Sequence, residues 1–153
     1  MAAESARVGT LPPRLLASTH QWHRSFCGQC AELSQVRRWL AGLLPAGPAS
    51  DDAVAIAVEL ATNAVRHTAT GRGGRFTVEV SWRDHTGVLR ISVTDDGAPQ
   101  GPRWPVGPCP VGESGVGLYL VCALASRTGE CGDASSRQVW AEVPWDAGTS
   151  AQD

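Results

Sequence analysis

The chain has 153 residues, 42% of them hydrophobic, which suffices for one globular domain with a core of its own. Its formal net charge is −2 and its pI about 6.1, so neither nucleic acid nor an acidic surface is expected as the main partner. All 13 basic residues are arginine; without a lysine, the phosphate-loop, protein-kinase-strand and Schiff-base lysine chemistries are excluded.

Residues 1–20 contain no apolar stretch long enough for a signal peptide and read as a flexible tail. No run approaches the roughly 20 apolar residues that span a bilayer, so a cytoplasmic protein without membrane attachment is expected. Five cysteines, Cys27, Cys30, Cys109, Cys122 and Cys131, are an odd number and argue against a disulfide framework in a reducing compartment.

"AELSQVRRWLAGLL" (Ala31 to Leu44) carries Leu33, Val36, Leu40 and Leu43 at helical spacing, and "PAGPAS" ends it. Ser50 then stands as the N-cap of a second helix, with Asp51 and Asp52 at its positive end. This helix, to about His67, is apolar at nearly every position from Ala53 to Val58, which suits burial on most sides. At its end Glu59, Thr62, Asn63, Arg66 and His67 form one polar stripe. Such a stripe on a sunken helix points at water or at a ligand.

Two half-buried strands follow. Phe76, Val78, Val80 and Trp82 alternate with polar residues, as do Leu89, Ile91 and Val93, and "RDHTG" joins the two runs as a hairpin. Asp95 continues the buried parity of the second run while Asp96 points out. An inward carboxylate is costly unless paired. No fixed cation is obvious nearby, so a donor from a ligand is a natural partner, with a turn-capping role for "DDG" as the alternative.

"GAPQGPRWPVGPCPVGES" (Gly97 to Ser114) has four glycines and five prolines and no periodicity. Its length suits a functional lid or a disordered insertion. "ESGVGLYLV" then puts Gly115 and Gly117 at the mouth of a third helix, with Leu118, Val121, Cys122 and Ala125 on one face. Helix-start amides bind anions. This is neither a dinucleotide fingerprint, since Leu120 stands where the third glycine belongs, nor a nucleophile elbow, since Val116 does. "RQVWAEVPW" reads as the last strand and residues 147–153 as a tail. The domain spans 21–146, and helices grouped with a mainly antiparallel sheet give a two-layer α+β sandwich.

Taken in order, "ELATNAVRH", "VTDDGAP", the Gly/Pro-rich segment and "GVGLYLVCALASRTG" resemble the N box and the two glycine boxes of Bergerat-fold, histidine-kinase-like ATPases, the superfamily of gyrase, the histidine kinases and the mismatch-repair ATPases. The likeness is greatest to small single-domain anti-sigma-factor serine/threonine kinases of actinobacteria and covers residues 23–145. It implies a mixed, mainly antiparallel sheet covered on one face by about three helices. It also implies ATP and Mg²⁺ as cofactors. Asn63 resembles the magnesium-holding asparagine, and Glu59 the base that polarises the attacking hydroxyl or water. Asp95 resembles the acceptor of the adenine amino group, with Gly97 leaving room for the ring. Gly115, Val116, Gly117 and Leu118 match the segment that meets the phosphates, and Arg103 stands where the lid reaches them. Arg66 and His67 continue the stripe, and His67 is read as its solvated end.

The family usually carries a threonine before "VW", where this chain has Gln138, which puts nucleotide affinity in question. Nothing corresponds to the helix bearing a sensor kinase's phospho-acceptor histidine, so that activity is not expected. His20, His23, Cys27 and Cys30 are the right ligand types for tetrahedral zinc, but the family places its first strand at "WHRSFCG", a shape that holds them apart. The resemblance thus implies an anti-sigma-type kinase acting on an anti-anti-sigma-like partner, with a sigma factor as a second partner and homodimerisation as a further expectation. The alternative is a nucleotide-dependent binding module that transfers no phosphate.

Overall fold

A computed structural model of the chain describes residues 19–83, 86–101, 104–105 and 116–145. Among the described residues five strands and three helices follow one another as β1 (Thr19–Cys27), α1 (Leu33–Leu43), α2 (Pro48–His67), β2 (Arg75–Arg83), β3 (Val88–Asp95), α3 (Val116–Leu124), β4 (Arg127–Gly132) and β5 (Arg137–Pro144). Short 3-10 turns at Cys30–Glu32 and Ala69–Gly71 lead into α1 and out of α2.

The strands form one sheet in the order β1-β2-β3-β5-β4, and every neighbouring pair is antiparallel. The expected two-layer α+β sandwich is there, with a sheet that is antiparallel throughout the described strands rather than mixed. β3 and β4 are joined through α3 and run the same way, but β5 lies between them and pairs antiparallel with both. β4 was not read from the sequence. "RTGECG" has no apolar alternation, because an edge strand half open to solvent needs none.

The helices cover one face of the sheet. Phe26, Phe76, Val78, Val80, Leu89, Ile91, Val93, Ala141 and Val143 meet Val36 and Leu40 of α1, Ile56, Ala57, Leu60 and Ala61 of α2, and Val121 of α3 in a single core. Four alanines and a serine on the buried side of α2 let it lie close over β3 and β5. On the uncovered face Arg90 lies over the Trp140 ring at 4.1 Å and donates to Glu142 at 2.6 Å.

One helix boundary and one helix face differ from expectation. α2 starts at Pro48, with Gly47 as N-cap, so Ser50 sits inside the first turn and donates its hydroxyl to the Pro45 carbonyl. Proline presets the helical φ at the first position and starts the helix three residues sooner. On α3, Leu118 and Val121 are buried as expected, whereas Cys122 is exposed.

Candidate functional site

A cleft of about 750 Å³ opens between the C-terminal half of α2, the ends of β3 and β5, and the start of α3. Its walls are apolar toward the sheet, where Leu60, Ala64, Val93, Leu118 and Val139 line it. Asn63, His67, Thr68 and Gln100 supply polar groups. An apolar slot with a few placed polar groups is the usual form of a small-molecule site.

Asp95 lines this slot and is only 6% exposed. The alternation Leu89, Ile91, Val93 carries it to the helix-facing side, as its position predicts. Its Oδ1 accepts the Gly97 N–H at 2.7 Å, and among the described residues Oδ2 has no protein donor. Burial pushes the carboxyl above the ordinary carboxylate range; the Gly97 N–H and then the Arg137 charge pull it back, and Asp96 pushes it up slightly. Gly97 has a φ of +76°, and a Cβ there would run into the Ala134 carbonyl.

The carboxylate also has a cation that sequence reasoning missed. Arg137 is the β5 partner of Asp95 and lines the same cleft. Its Nη1 lies 3.5 Å from Glu130 Oε2, while its buried Nε has no partner among the described residues. Gln138 points the other way. The alternation of β5 turns Arg137 and Val139 to the cleft, and Gln138 accepts from the Cys131 thiol at 3.8 Å instead. The doubt raised by Gln138 thus attaches to a residue outside the described cleft wall, and the side chain beside Asp95 is an arginine.

The turn after α2 holds the Asp95 loop in place. Thr68 Oγ1 donates to Ala64 O and accepts the Thr70 N–H. Ala69 donates to the Gly97 carbonyl at 2.9 Å, and Thr70 Oγ1 accepts the Asp96 N–H at 2.9 Å. Asp96 faces outward and accepts the Arg75 N–H.

The stripe on α2 divides. Asn63 lines the cleft, and so does His67, which is exposed but not merely the solvated end expected for it. Arg66 is exposed. Glu59, one turn before Asn63, is half-buried and lies against Gly117 at the start of α3, its Cδ 3.3 Å from where a Cβ would stand. Leu118 lines the cleft and Val116 opens α3. Gly115 and Arg103 lie outside the described residues. So does most of the lid, of which Ala98, Pro99, Gln100 and Gly101 line the cleft and Trp104 packs on the core.

The zinc reading fails. No group of three or more His, Cys, Asp or Glu side chains able to hold a metal occurs among the described residues. His23 points to the exposed side of β1 while His20 takes the opposite side and stacks on Trp82 at 4.9 Å. Among the described residues no helix is long and apolar enough to cross a membrane.

The model of one protein family, described as the histidine kinase-like ATPase domain, matches residues 26–140. No curated protein matches the chain.

Proposed function

The chain belongs to the family of histidine kinase-like ATPase domains, which makes it an ATP-binding protein, and we propose from that premise that it transfers the γ-phosphate of Mg-ATP to a serine or threonine of a partner protein. The matched region holds the cleft and every described residue assigned to it. The residues fit the nucleotide. A buried carboxylate with one oxygen lacking a donor suits the adenine amino group, and the apolar walls suit the faces of the ring.

The observation that carries the reading is the contact of Glu59 with Gly117 at the start of α3, while Asn63, one turn on along α2, lines the cleft together with Leu118. Asp95 holds the base at one end, which fixes the direction of the phosphates toward α3. Asn63 presents an amide oxygen, the hard ligand that magnesium takes beside water and phosphate oxygens. Magnesium there would neutralise phosphate charge. Glu59 takes the proton of the attacking hydroxyl as its oxygen bonds to the γ-phosphorus and ADP leaves. The Gly117 amide, at a helix start, meets the phosphate oxygens.

The partner in this reading is an anti-anti-sigma-like protein, with a sigma factor held by the same domain and a homodimer as its working form. These rest on the resemblance of the boxes to small anti-sigma kinases. The experiment is incubation with γ-labelled Mg-ATP and candidate partners from the same genome. Label should appear on a partner and disappear with Glu59→Ala. If no partner is labelled, yet one binds in an ATP-dependent way that survives Glu59→Ala, the protein is a nucleotide-dependent binding module instead.

A further inference from the structure

β1 ends at Cys27, the first residue of Cys27-Gly28-Gln29-Cys30, which sets two thiols at a two-residue spacing across a strand-to-helix junction. The site described above makes no use of it. Both thiols are exposed and free. The chain turns back between them, since the Gln29 N–H bonds the Cys27 carbonyl at 2.8 Å, and Cys30 opens the 3-10 turn that leads into α1. The two-residue spacing of the thiols is that of C-x-x-C redox pairs. A second observation concerns charge. Arg75, the β2 partner of Cys27, donates Nη1 to the Cys27 sulfur at 3.5 Å, so a cation stands where negative charge develops on an attacking sulfur.

We propose that Cys27 and Cys30 form a reversible dithiol–disulfide pair that hydroperoxides oxidise and whose state is felt at the Asp95 loop. Cys27 attacks the peroxide as thiolate, the O–O bond breaks, and an alcohol or water leaves once protonated. The resulting sulfenic acid is attacked by the Cys30 thiol, the S–S bond forms, and water departs. Two thiols and one hydroperoxide thus give one disulfide, one alcohol and one water, the peroxide taking up two electrons. A dithiol reductant reverses it by exchange.

The route to the cleft is short and built of hydrogen bonds. Gly28, inside the motif, donates to the Gly74 carbonyl at 2.9 Å, and its Cα is pressed so closely on the Thr70 carbonyl that no Cβ fits. Thr70 in turn accepts the Asp96 N–H, and its neighbour Ala69 donates to Gly97. Closing the disulfide repositions Gly28 and thereby the turn that holds Asp95 to Gly97. Where the cleft holds nucleotide, the pair becomes a redox input to nucleotide affinity, a step that rests on the function proposed above.

Trypsin separates this pair cleanly, because cleavage after Arg24 and Arg37 leaves both cysteines in one peptide. The full chain is treated with hydrogen peroxide, alkylated, digested and weighed, and amide exchange is followed on the same samples without nucleotide. The Ser25–Arg37 peptide should resist alkylation, weigh two hydrogens less than its reduced form, and return to two alkylated cysteines after reduction. Arg75→Ala should slow this reaction several-fold, and Cys30→Ser should leave a trapped sulfenic acid on Cys27. Exchange at Ala69 and Asp96 should change several-fold on oxidation in wild type and not in Cys27→Ser. Two freely alkylated cysteines after peroxide, or preferential pairing with Cys109, Cys122 or Cys131, would overturn the pair. A disulfide that leaves Ala69 and Asp96 exchange unchanged would overturn its link to the cleft. Loss of nucleotide binding in every state would instead count against the proposed function.

Discussion

Glu59 and Gly117 meet so closely across the packing of α2 on α3 that a Cβ on residue 117 would overlap Glu59 Oε2. The glycine therefore does more than expose an amide; it makes room for the carboxylate at the helix start. Because that carboxylate is the end of a flexible side chain, Gly117→Ala should displace Glu59 rather than break the fold. Replacing a helical glycine by alanine favours the helix by about 1 kcal/mol, which offsets the cost of moving Glu59, so the melting temperature should hardly change. Phosphotransfer should fall steeply, approaching the 10²–10⁴-fold typical of a lost general base. A large loss of stability would mean that Glu59 is rigidly held.

Asp95 sets a pH dependence of stability. Its carboxyl is raised by burial, so its stabilising contribution is complete when it is protonated and is lost as pH rises through its raised value. In the nucleotide-free protein at neutral pH, Asp95→Asn should therefore be more stable than wild type. The difference should fade as pH drops below the ordinary aspartate value of about 4. Thermal melts of both proteins across acid and neutral pH check this, and a destabilised variant at neutral pH would contradict it.

Burial raises the Asp95 carboxyl, and after the Gly97 N–H the Arg137 charge opposes that rise, favouring the charged form that accepts most strongly from an adenine amino group. ATP affinity should weaken on the acid side as Asp95 takes up a proton, at a higher pH than an ordinary aspartate would dictate. Arg137→Gln removes the cation and should move that acid limb to still higher pH. Affinity measured against pH for both proteins gives the answer; an unmoved limb would separate Arg137 from the base.

Asn63 and Glu59 are one turn apart and have different tasks. Asn63→Ala should lose magnesium-dependent nucleotide binding. Glu59→Ala should keep nucleotide binding and lose phosphotransfer by roughly 10²–10⁴-fold. Paired affinities and rates for the two variants distinguish the roles, and equal losses of affinity would merge them.

Much of this was legible in the sequence for physical reasons. The alternation of β2 and β3 fixed their faces, and the parity of β3 carried to Asp95, which is buried as that parity requires. The stripe on α2 placed Asn63 at the cleft. What was hidden depends on register between distant segments. Nothing local says that Arg137 comes opposite Asp95, because that follows from how β5 pairs with β3. Weighing "RQVW" by its spacing to the family pattern pointed to Gln138, whereas strand alternation puts Arg137 on the cleft side. β4 escaped because an edge strand of glycine and polar residues has no periodic signal. His67 looked like a helix end in solvent; only the position of Thr68 and the lid residues makes that end one wall of a cleft.

The account stands most directly on calorimetric titration of magnesium with ATP and, separately, with GTP into wild type and Asp95→Asn. GTP presents a carbonyl where ATP presents an amino group, so it would set an acceptor against the Asp95 carboxylate. A mismatch of that kind in a buried site costs about 1–3 kcal/mol. Wild type should bind ATP at least several-fold more tightly than GTP, and Asp95→Asn should lose most of that preference while keeping its fold. Equal affinity of wild type for the two nucleotides, or an ATP affinity untouched by Asp95→Asn, would contradict the placement of the base at Asp95.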